Sequence, residues 1–594
     1  MSRPAWLPQT RPLTRQLIGW LASCRPCAET SLAAAALALE ASLDGHVCLR
    51  LDQYAGRRVL GLTLPPLATW RADLLADGVC RGVGTDEDAY TPLVLDGDRL
   101  YLTRLWWDET RLVRELRERA GPSNIAPQKL KPVLDRLFPG RPDHDGQRVA
   151  AATALLNRIA VISGGPGTGK TSTVARVLAA LLELEPDSRI GLAAPTGKAA
   201  ARMVEALRGA RAGLALDLVT AAAMPDSATT LHRLLGFRPD SATPRHHREQ
   251  PLALDALVVD EASMVDLAMF AHLLDALPSK SRLILLGDRD QLASVEPGAV
   301  FAELSELAGH SPTGARRLSR VCTIETGPAA CSPLSDGVAL LRDSYRFHAD
   351  SGVGALARHA NSGDAAAALA LLQGGHPDLA LQAGDAASWW HALLARLRPA
   401  FETYRAAVAT TDPASAFAAF QRLRVLCALR DGPTGVAAIN RLFAARLMGH
   451  DGRRPHYPGE ALIIRRNDPT LGLWNGDIGL TLADGEGGLR VWFERDGGFR
   501  ALSPYRLPQY EPAYAMTVHQ SQGSEFDEVL LILPDEDSPV LTRSLIYTAI
   551  TRARRRAEIW GRPDVLARGI ERGTRRVSGL GERLSFDPAT YSSN

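Results

Sequence analysis

Residues 164–171 read GGPGTGKT, a glycine-rich segment that ends in a lysine and a threonine. The segment fits the pattern GxxxxGK[ST], and it follows a predicted strand and opens a predicted helix, the context this phosphate-binding motif requires. Glycines let backbone N–H groups approach phosphate closely, and the N-terminus of a helix adds positive potential. We therefore predict an ATP site formed by Gly164, Gly165, Pro166, Gly167, Thr168, Gly169, Lys170, Thr171 and Ser172.

ATP hydrolysis also needs a metal and an acidic partner. We expect Lys170 to neutralise the β- and γ-phosphates and the Thr171 hydroxyl to ligate Mg²⁺. The segment LVVDEAS places Asp260 and Glu261 at the end of a predicted strand. Asp260 is suited to hold Mg²⁺ through water, and Glu261 to polarise the attacking water as general base. The next strand ends in GDRDQL, which brings Gln291 to the same edge as a sensor of the γ-phosphate.

The elements around these residues alternate short apolar strands with helices. IAVISG, IGLAAP, ALVVDEAS and RLILLGD are strand-like, and helical sequences follow the first two. This alternation is typical of a parallel sheet covered on both faces. A second series begins near residue 341 and closes, on this interpretation, with a helix over residues 544–556, while residues 306–336 form an irregular connection. Short strands with glycine turns between about residues 455 and 510 predict a small β-barrel-like insertion.

Length and composition indicate a soluble protein with several domains. The 594 residues suggest about four domains at roughly 150 residues each. A hydrophobic content of 46% with 23% charged residues excludes a disordered or fibrous protein. The net charge is only +2, so nucleic acid would have to bind at a local basic patch. The seven scattered cysteines exclude a disulfide framework, and Cys24 and Cys27 lack a second pair for a zinc site. Because no long apolar stretch is present, we expect a cytoplasmic protein.

Residues 1–120 carry no catalytic pattern. They combine helix-like alanine and leucine runs with strand-like pieces, and their last, charged helix ends at Gly121-Pro122, a strong helix stop. We interpret this block as an N-terminal α+β domain that binds a partner or has a structural role. The predicted domain limits are residues 1–120, 121–340 for the first α/β domain and 341–594 for the second.

Taken in order, the motifs resemble those of superfamily 1 DNA helicases of the 5′→3′ branch, and within them the RecD family, the alpha subunit of exodeoxyribonuclease V. The resemblance runs from about residue 145 to the C-terminus, roughly three-quarters of the chain. It rests on DGQRVA, APTGKAA, TTLHRLLG, SYRF, RRNDPTLGLWNGDIG, TVHQSQGSEF, YTAITRAR and SGLGERL, which begin at residues 145, 194, 229, 344, 465, 517, 547 and 578. It implies an α/β fold with two tandem RecA-like P-loop motor domains, the second carrying an SH3-like β insertion.

The resemblance also implies roles for single residues at the nucleotide. Gln147 is expected to read adenine, Tyr345 to stack on it, and Glu525 to belong to the nucleotide site. Arg346 and Arg552 lie in the second domain, from which an arginine finger can reach the γ-phosphate across the cleft. Such a contact makes domain closure depend on ATP, as a motor requires.

For DNA, the matching positions are short polar or cationic residues at strand–helix junctions. Such residues grip phosphates and read no bases, and they are Thr196, Lys198, Thr229, His232, Thr517 and His519. Gln520 stands where the family usually shows lysine, which leaves the phosphate contact at that position open. Residues 238–250 lie where relatives carry a strand-splitting hairpin, and since the segment is short and basic here, a solvated loop is a close alternative.

These observations predict an ATP-dependent 5′→3′ single-strand DNA translocase and helicase. It would be the alpha subunit of a heterotrimer with beta and gamma subunits that processes double-strand DNA ends for recombinational repair. Its predicted ligands are ATP, Mg²⁺, single-stranded DNA and double-strand DNA ends. A stand-alone 5′→3′ helicase is the alternative, and a scaffold subunit with a regulatory ATPase is an alternative of a different class. The presence of Lys170, Glu261, Gln291, Arg346 and Arg552 argues against the scaffold, and nuclease activity is expected from a partner.

Overall fold

The computed structural model describes residues 4–24, 26–84, 91–214, 216–238, 241, 243–324, 328–348, 350–468, 470–495 and 498–585. Its first part, called the N-terminal domain below, is a small sheet with helices around it. The strands are β1 (Cys48–Arg50), β2 (Arg58–Val59), β3 (Leu62–Thr63), β4 (Cys80–Gly82), β5 (Leu93–Asp96) and β6 (Arg99–Leu102). The helices are α1 (Pro12–Cys24), α2 (Glu29–Leu43), α3 (Leu67–Ala76) and α4 (Thr103–Arg119). The sheet order is β1-β6-β5-β4 with mixed directions, and β2 pairs with β3 as a hairpin.

The second part, the first α/β domain, contains a parallel sheet. Its strands are β7 (Ile159–Gly164), β8 (Ile190–Ala194), β9 (Thr229–Thr230), β10 (Ala256–Val259), β11 (Arg282–Gly287) and β12 (Val338–Leu341), in the order β12-β7-β11-β10-β8-β9. The helices are α5 (Pro127–Leu137), α6 (Gly146–Leu156), α7 (Lys170–Leu184), α8 (Gly197–Ala212), α9 (Leu218–Ala223), α10 (Leu231–Leu235), α11 (Leu267–Ala276), α12 (Val300–Glu306) and α13 (Pro312–Leu318). All pairings between these strands are parallel, as their apolar sequences predict.

Successive residues of these strands face two separate cores. Val258 and Ile284 pack with α6 and α7 on one side of the sheet. Leu257 and Leu283 pack with α11 and with α4 of the N-terminal domain on the other side. Burying both faces explains why the strands are continuously apolar, and the prediction of a sheet covered on both faces is confirmed.

The third part, the second α/β domain, contains another parallel sheet and an insertion. Its strands are β13 (Leu379–Gln382), β14 (Leu423–Cys427), β15 (Ala461–Ile464), β16 (Ile478–Ala483), β17 (Leu489–Arg495), β18 (Gly498–Leu502), β19 (Tyr510–Pro512), β20 (Ala515–Thr517), β21 (Phe526–Ile532) and β22 (Ala553–Trp560). The parallel sheet has the order β13-β22-β21-β14-β20, and the antiparallel insertion has the order β18-β17-β16-β15-β19. The helices are α14 (Gly352–Ser362), α15 (Ala365–Gln373), α16 (Ala386–Ala409), α17 (Pro413–Gln421), α18 (Val436–Arg446), α19 (Arg543–Ile550) and α20 (Pro563–Glu571). The predicted α/β class with a β insertion is confirmed, and the domain limits stay predictions.

Two local expectations were wrong. The helix expected over residues 544–556 ends at Ile550, and the arginine-rich sequence after it begins β22, which lies inside the sheet between β13 and β21. The buried end of that strand, AEIW, supplies the apolar residues that draw it into the sheet. The irregular connection over residues 306–336 contains α13, which starts from a Ser311 side chain that accepts a hydrogen bond from the Gly314 N–H.

The chain ends by returning to the N-terminal domain. Residues 573–585, called the C-terminal strap below, include α21 (Leu580–Ser585). The Val577 carbonyl accepts a hydrogen bond of 2.8 Å from the Val47 N–H, and Leu580 joins the core beneath α4. Arg576 donates to the carbonyl of Gly298 in the first α/β domain at 2.7 Å. The strap therefore connects the second α/β domain to both other parts. No helix of the described ranges is long and apolar enough to cross a membrane.

Candidate functional site

The glycine-rich loop joins β7 to α7 at the carboxyl edge of the first parallel sheet. Gly167 and Gly169 have φ angles of 77° and 80°, a backbone region that favours glycine. A Cβ atom at Gly169 would overlap the Nε2 atom of Gln147, and one at Gly167 would overlap Arg346. Glycine is therefore needed at both positions for conformation and for space. The predicted loop residues 164–172 lie together, as the motif requires.

The ammonium group of Lys170 lies over the loop. It donates a hydrogen bond to the Gly164 carbonyl and another of 3.1 Å to the Gly165 carbonyl. The Thr168 hydroxyl donates to the same Gly165 carbonyl at 2.8 Å. A phosphate that enters the loop would offer Lys170 a charged acceptor in place of these neutral carbonyls, and charge-assisted hydrogen bonds are the stronger ones.

Gln147 and Tyr345 lie on neighbouring parts of the same loop. Gln147 is buried, and its amide nitrogen donates to the Thr168 carbonyl at 3.0 Å. Its Oε1 atom is buried without a hydrogen-bond partner among the described residues, which leaves an acceptor for an exocyclic amine. Tyr345 donates its backbone N–H to the Gly167 carbonyl, and its ring is 55% exposed with the Arg141 guanidinium 5.3 Å from the ring centroid. Both predicted adenine contacts thus border the loop.

Asp260 and Glu261 follow β10, at the same carboxyl edge of the sheet as the glycine-rich loop. Burial, together with the neighbouring charge of Glu261, raises the pKa of Asp260 to about 6, and Lys170 opposes this shift. Glu261 has a φ of 51°, and its N–H donates to the Asp260 carboxylate at 2.8 Å. A carboxylate and the hydroxyl of Thr171 are oxygen donors of the kind Mg²⁺ prefers, and a cation here would favour the charged form of Asp260. The residues present therefore fit Mg²⁺ bound with nucleotide.

Gln291 lies beyond the end of β11, beside Asp288. Its Nε2 atom donates to Asp288 Oδ2 at 3.0 Å, and both side chains are buried. The strand order β7-β11-β10 places this pair between the strand of the glycine-rich loop and the strand of the acidic pair. The three predicted parts of the hydrolysis site are therefore at one edge.

The arginines of the second α/β domain meet Glu525. Arg346 donates to Glu525 Oε1 at 2.6 Å, and Arg554 donates to Oε2 at 3.3 Å. Burial is the largest influence and raises the pKa of Glu525, but the charge and hydrogen bond of Arg346, with the charges of Arg202 and Arg552, together lower it. Arg552 is buried nearby, and its Nη1 atom donates to the Ser524 carbonyl at 3.2 Å. In this arrangement Glu525 is the counterion of Arg346, and a γ-phosphate would compete with it for that arginine.

Lys198 lies at the start of α8, where the Thr196 side chain caps the helix by accepting from the Ala199 N–H at 3.2 Å. The ammonium group of Lys198 makes no hydrogen bond or ion pair with another described residue. Dense packing around its ammonium, followed by the charges of Arg202 and Arg424, lowers the pKa of Lys198 to about 7. An unpaired cation that packing holds in place is suited to bind a phosphate.

The segment from Thr517 to Gly523 adjoins the same helix. A Cβ atom at Gly523 would lie 3.6 Å from Ala199 of α8. Thr517 donates its backbone N–H to Gln520 Oε1 at 2.9 Å, so Gln520 closes a local turn. Burial, and then the charge of Arg576, lowers the pKa of His519. The segment that carries Thr517 and His519 therefore reaches α8 at Gly523.

Two other DNA-binding candidates lie on the β9–α10 segment. The Thr229 hydroxyl is buried and has no hydrogen-bond partner among the described residues, and Thr229 pairs with Ala193 of β8. His232 is exposed, with its ring centroid 5.3 Å from that of Phe237. The structure does not bring His232 into contact with Lys198 or Thr517. All roles assigned to these residues stay predictions.

The basic segment 238–250 is only partly described, because residues 239, 240 and 242 lie outside the described ranges. In the described portion, Arg248 donates to Glu115 of α4 at 2.5 Å. This part of the segment therefore lies against the N-terminal domain.

Sequence reasoning gave no role to three residues at the site. Arg202 follows Lys198 by one helical turn, and burial, the largest influence, lowers its pKa despite the nearby charge of Glu525. Trp474 of the insertion packs against Gly197. Tyr547 reaches Asp288 from the second α/β domain. The spacing of four residues could have indicated Arg202, whereas the other two contacts join distant segments and left no local signal.

Comparison with protein-family models gives three matches. Residues 8–101 match the N-terminal domain of RecBCD enzyme subunit RecD, residues 147–297 match an AAA domain, and residues 512–559 match a UvrD-like helicase C-terminal domain. Among characterised relatives, the chain is 40% identical to RecBCD enzyme subunit RecD of Mycolicibacterium smegmatis, with 93% of each chain covered. It is 33% identical to the subunit of the same name from Haemophilus influenzae, with 94% of each covered. It is 32% identical to the ATP-dependent RecD2 DNA helicase of Deinococcus radiodurans over 67% of this chain and 46% of that protein.

Proposed function

Because the chain belongs to the RecD family, we propose that it is the RecD subunit of a RecBCD complex, an ATP-dependent DNA helicase that moves 5′→3′ on single-stranded DNA. One observation carries the proposal: a RecD N-terminal domain and the helicase motifs occur in one chain that matches a RecD subunit over 93% of both lengths. The geometry of the nucleotide site and of the helix that carries Lys198 supports it.

In this proposal the first α/β domain binds ATP and Mg²⁺. The loop N–H groups and Lys170 would contact the β- and γ-phosphates, while Thr171 would hold the metal directly and Asp260 would hold it through water. Mg²⁺ would neutralise charge that develops on the phosphates during hydrolysis. Glu261 accepts a proton from the attacking water, and Gln291 orients that water.

The second α/β domain makes hydrolysis depend on closure. Arg346 is paired with Glu525 at 2.6 Å, so a γ-phosphate can recruit Arg346 only by replacing one anion with another. Arg552 is buried in the same cluster. Exchange of Arg346 between Glu525 and phosphate gives two arrangements of the cleft, and ATP shifts the balance because it binds one of them better.

DNA would lie along α8, between the two α/β domains and the insertion. Lys198, Thr196, Thr229, Thr517 and His519 are proposed to contact its phosphates. Contacts of this type are independent of base sequence, as translocation through arbitrary DNA requires. Alternating closure of the two domains over such a strand converts hydrolysis into movement.

We further propose that the chain works in the cytoplasm with beta and gamma subunits on double-strand DNA ends. The N-terminal domain would contact a partner, and nuclease activity would come from a partner subunit. The alternative of a stand-alone helicase has less support, because the chain covers only 46% of the RecD2 relative.

The test is the variant Lys170→Gln in the assembled complex. We expect DNA-stimulated ATP hydrolysis to fall roughly 10²–10³-fold, the cost of removing one electrostatic contact to the reacting group. The matched control is Lys280→Gln, which changes an exposed lysine and should hydrolyse ATP at the wild-type rate. Unchanged hydrolysis by Lys170→Gln would contradict the proposal. Processive unwinding by the isolated chain, without co-purifying subunits, would favour the stand-alone alternative.

A further inference from the structure

The hydroxyl of Tyr547 crosses from the second α/β domain to the first. Tyr547 lies on α19 and is buried, and its hydroxyl donates to Asp288 Oδ2 at 3.0 Å. A Cβ atom at Gly165 would also lie 3.0 Å from this hydroxyl. The contact therefore sits directly against the glycine-rich loop, although residues 288 and 547 are far apart in the sequence.

Asp288 is a buried carboxylate that accepts hydrogen bonds and forms no ion pair within the described part of the chain. Its Oδ2 atom accepts from both Tyr547 and the Nε2 atom of Gln291, each at 3.0 Å. A carboxylate can only accept, so the amide of Gln291 must turn its nitrogen to Asp288. This orientation leaves the Oε1 atom of Gln291 as the free end, which is an acceptor for the hydrogen of a water molecule.

The segment that carries Gln291 is held by the second domain at two further points. The Leu292 N–H donates to the Thr548 hydroxyl at 2.9 Å. The Leu292 carbonyl accepts from the Gln522 side chain at 2.9 Å. Separation of the domains would break all of these bonds at once, so the position of Gln291 depends on closure.

We propose that Tyr547 is a positioning residue, whose hydroxyl fixes Asp288 so that Gln291 presents its carbonyl oxygen to the water that attacks ATP. The inference rests on the proposed function, because it gives Tyr547 a part in the same hydrolysis. Tyr547 acts through Asp288 and not on the nucleotide. Because its hydrogen bond to Asp288 breaks when the domains separate, Tyr547 couples hydrolysis to domain closure, in addition to the arginines.

Tyr547→Phe tests this role because it removes the hydroxyl and keeps the ring. The kcat of DNA-stimulated ATP hydrolysis in the assembled complex should fall about tenfold, the effect of losing one hydrogen bond to a charged group. The KM for ATP should stay within about twofold, because the loop and Lys170 supply most of the binding. Added to Gln291→Ala, the substitution should lower kcat no further, since both act through one group.

Tyr514→Phe is the matched control. Its hydroxyl is also buried and donates to the Gly459 carbonyl at 2.8 Å, inside the second domain. We expect this variant to keep the wild-type kcat, and thermal melting will show whether either substitution loosens the fold. An unchanged kcat in Tyr547→Phe, or a raised KM with normal kcat, would overturn the inference. A wild-type complex without DNA-stimulated hydrolysis would instead overturn the proposed function.

Discussion

Raising the pH from 6.5 to 8 should weaken the binding of single-stranded DNA, because Lys198 loses its proton over this range. The pKa of this lysine is lowered to about 7, first by burial and then by Arg202 and Arg424, while Glu494 and Asp477 act in the opposite direction. A DNA phosphate favours the charged ammonium, so the free protein must take up a proton to bind.

The size of the effect follows from the protonated fraction of Lys198. With a pKa of about 7, that fraction falls from roughly 0.76 at pH 6.5 to roughly 0.09 at pH 8. If the bound lysine stays charged, the dissociation constant should rise about eightfold, or about 1.2 kcal/mol. A histidine contact would add to the change, so the comparison needs a variant that alters Lys198 alone.

Fluorescence anisotropy with a labelled oligothymidine at constant ionic strength measures this change. Lys198→Arg keeps a permanent charge and should show little dependence on pH, while any histidine contribution remains in both proteins. Lys198→Met should bind weakly at both pH values. An equal pH dependence in wild type and Lys198→Arg would refute the reasoning, as would a wild-type affinity that does not change.

The remaining predictions concern the turn at Gln520 and the C-terminal strap. Gln520→Lys should steepen the slope of log Kd against log salt by about 0.7, the value for one added phosphate contact on single strands. A lysine side chain cannot accept the hydrogen bond that the Thr517 N–H donates to Gln520, so the free energy of unfolding of the same variant should fall by about 1 kcal/mol. Gln520→Met is the control, because it loses this hydrogen bond but adds no charge. Leu580→Ala should cost about 2–5 kcal/mol in chemical unfolding, since Leu580 is buried in a core with α4. Leu218→Ala, at a position 90% exposed, should change the free energy of unfolding by less than about 0.5 kcal/mol. Equal losses of stability in Leu580→Ala and Leu218→Ala would contradict the packing of Leu580 in the core with α4.

Local sequence was sufficient for the parts of the site that depend on neighbouring residues. The glycine-rich loop, the pair Asp260–Glu261 and the apolar strands beneath them are each set by a few consecutive residues. The predicted end of α19 was wrong, because the apolar part of β22, AEIW, is short and the arginines before it follow the helix almost directly. Hydrophobic periodicity alone does not show where a helix ends when a strand follows it directly.

Contacts between residues that are far apart in the sequence could not be predicted from local sequence patterns. Arg346 and Glu525 are 179 residues apart, and Asp288 and Tyr547 are 259 apart, yet each pair shares a hydrogen bond, and the bond between Asp288 and Tyr547 crosses from one α/β domain to the other. Motif membership indicated that these residues belong to one site, but it did not indicate which would pair. The pairing of Asp288 with Tyr547 depends on how the two parallel sheets are set against each other, which only the fold determines.

The chain connects the second α/β domain to the rest of the protein at both ends of that domain. One is the connection that follows β12, and the other is the strap, through Arg576 on the first α/β domain and Val577 on the N-terminal domain. A movement of the second α/β domain must therefore either carry the N-terminal domain with it or break the strap contacts at Arg576 and Val577.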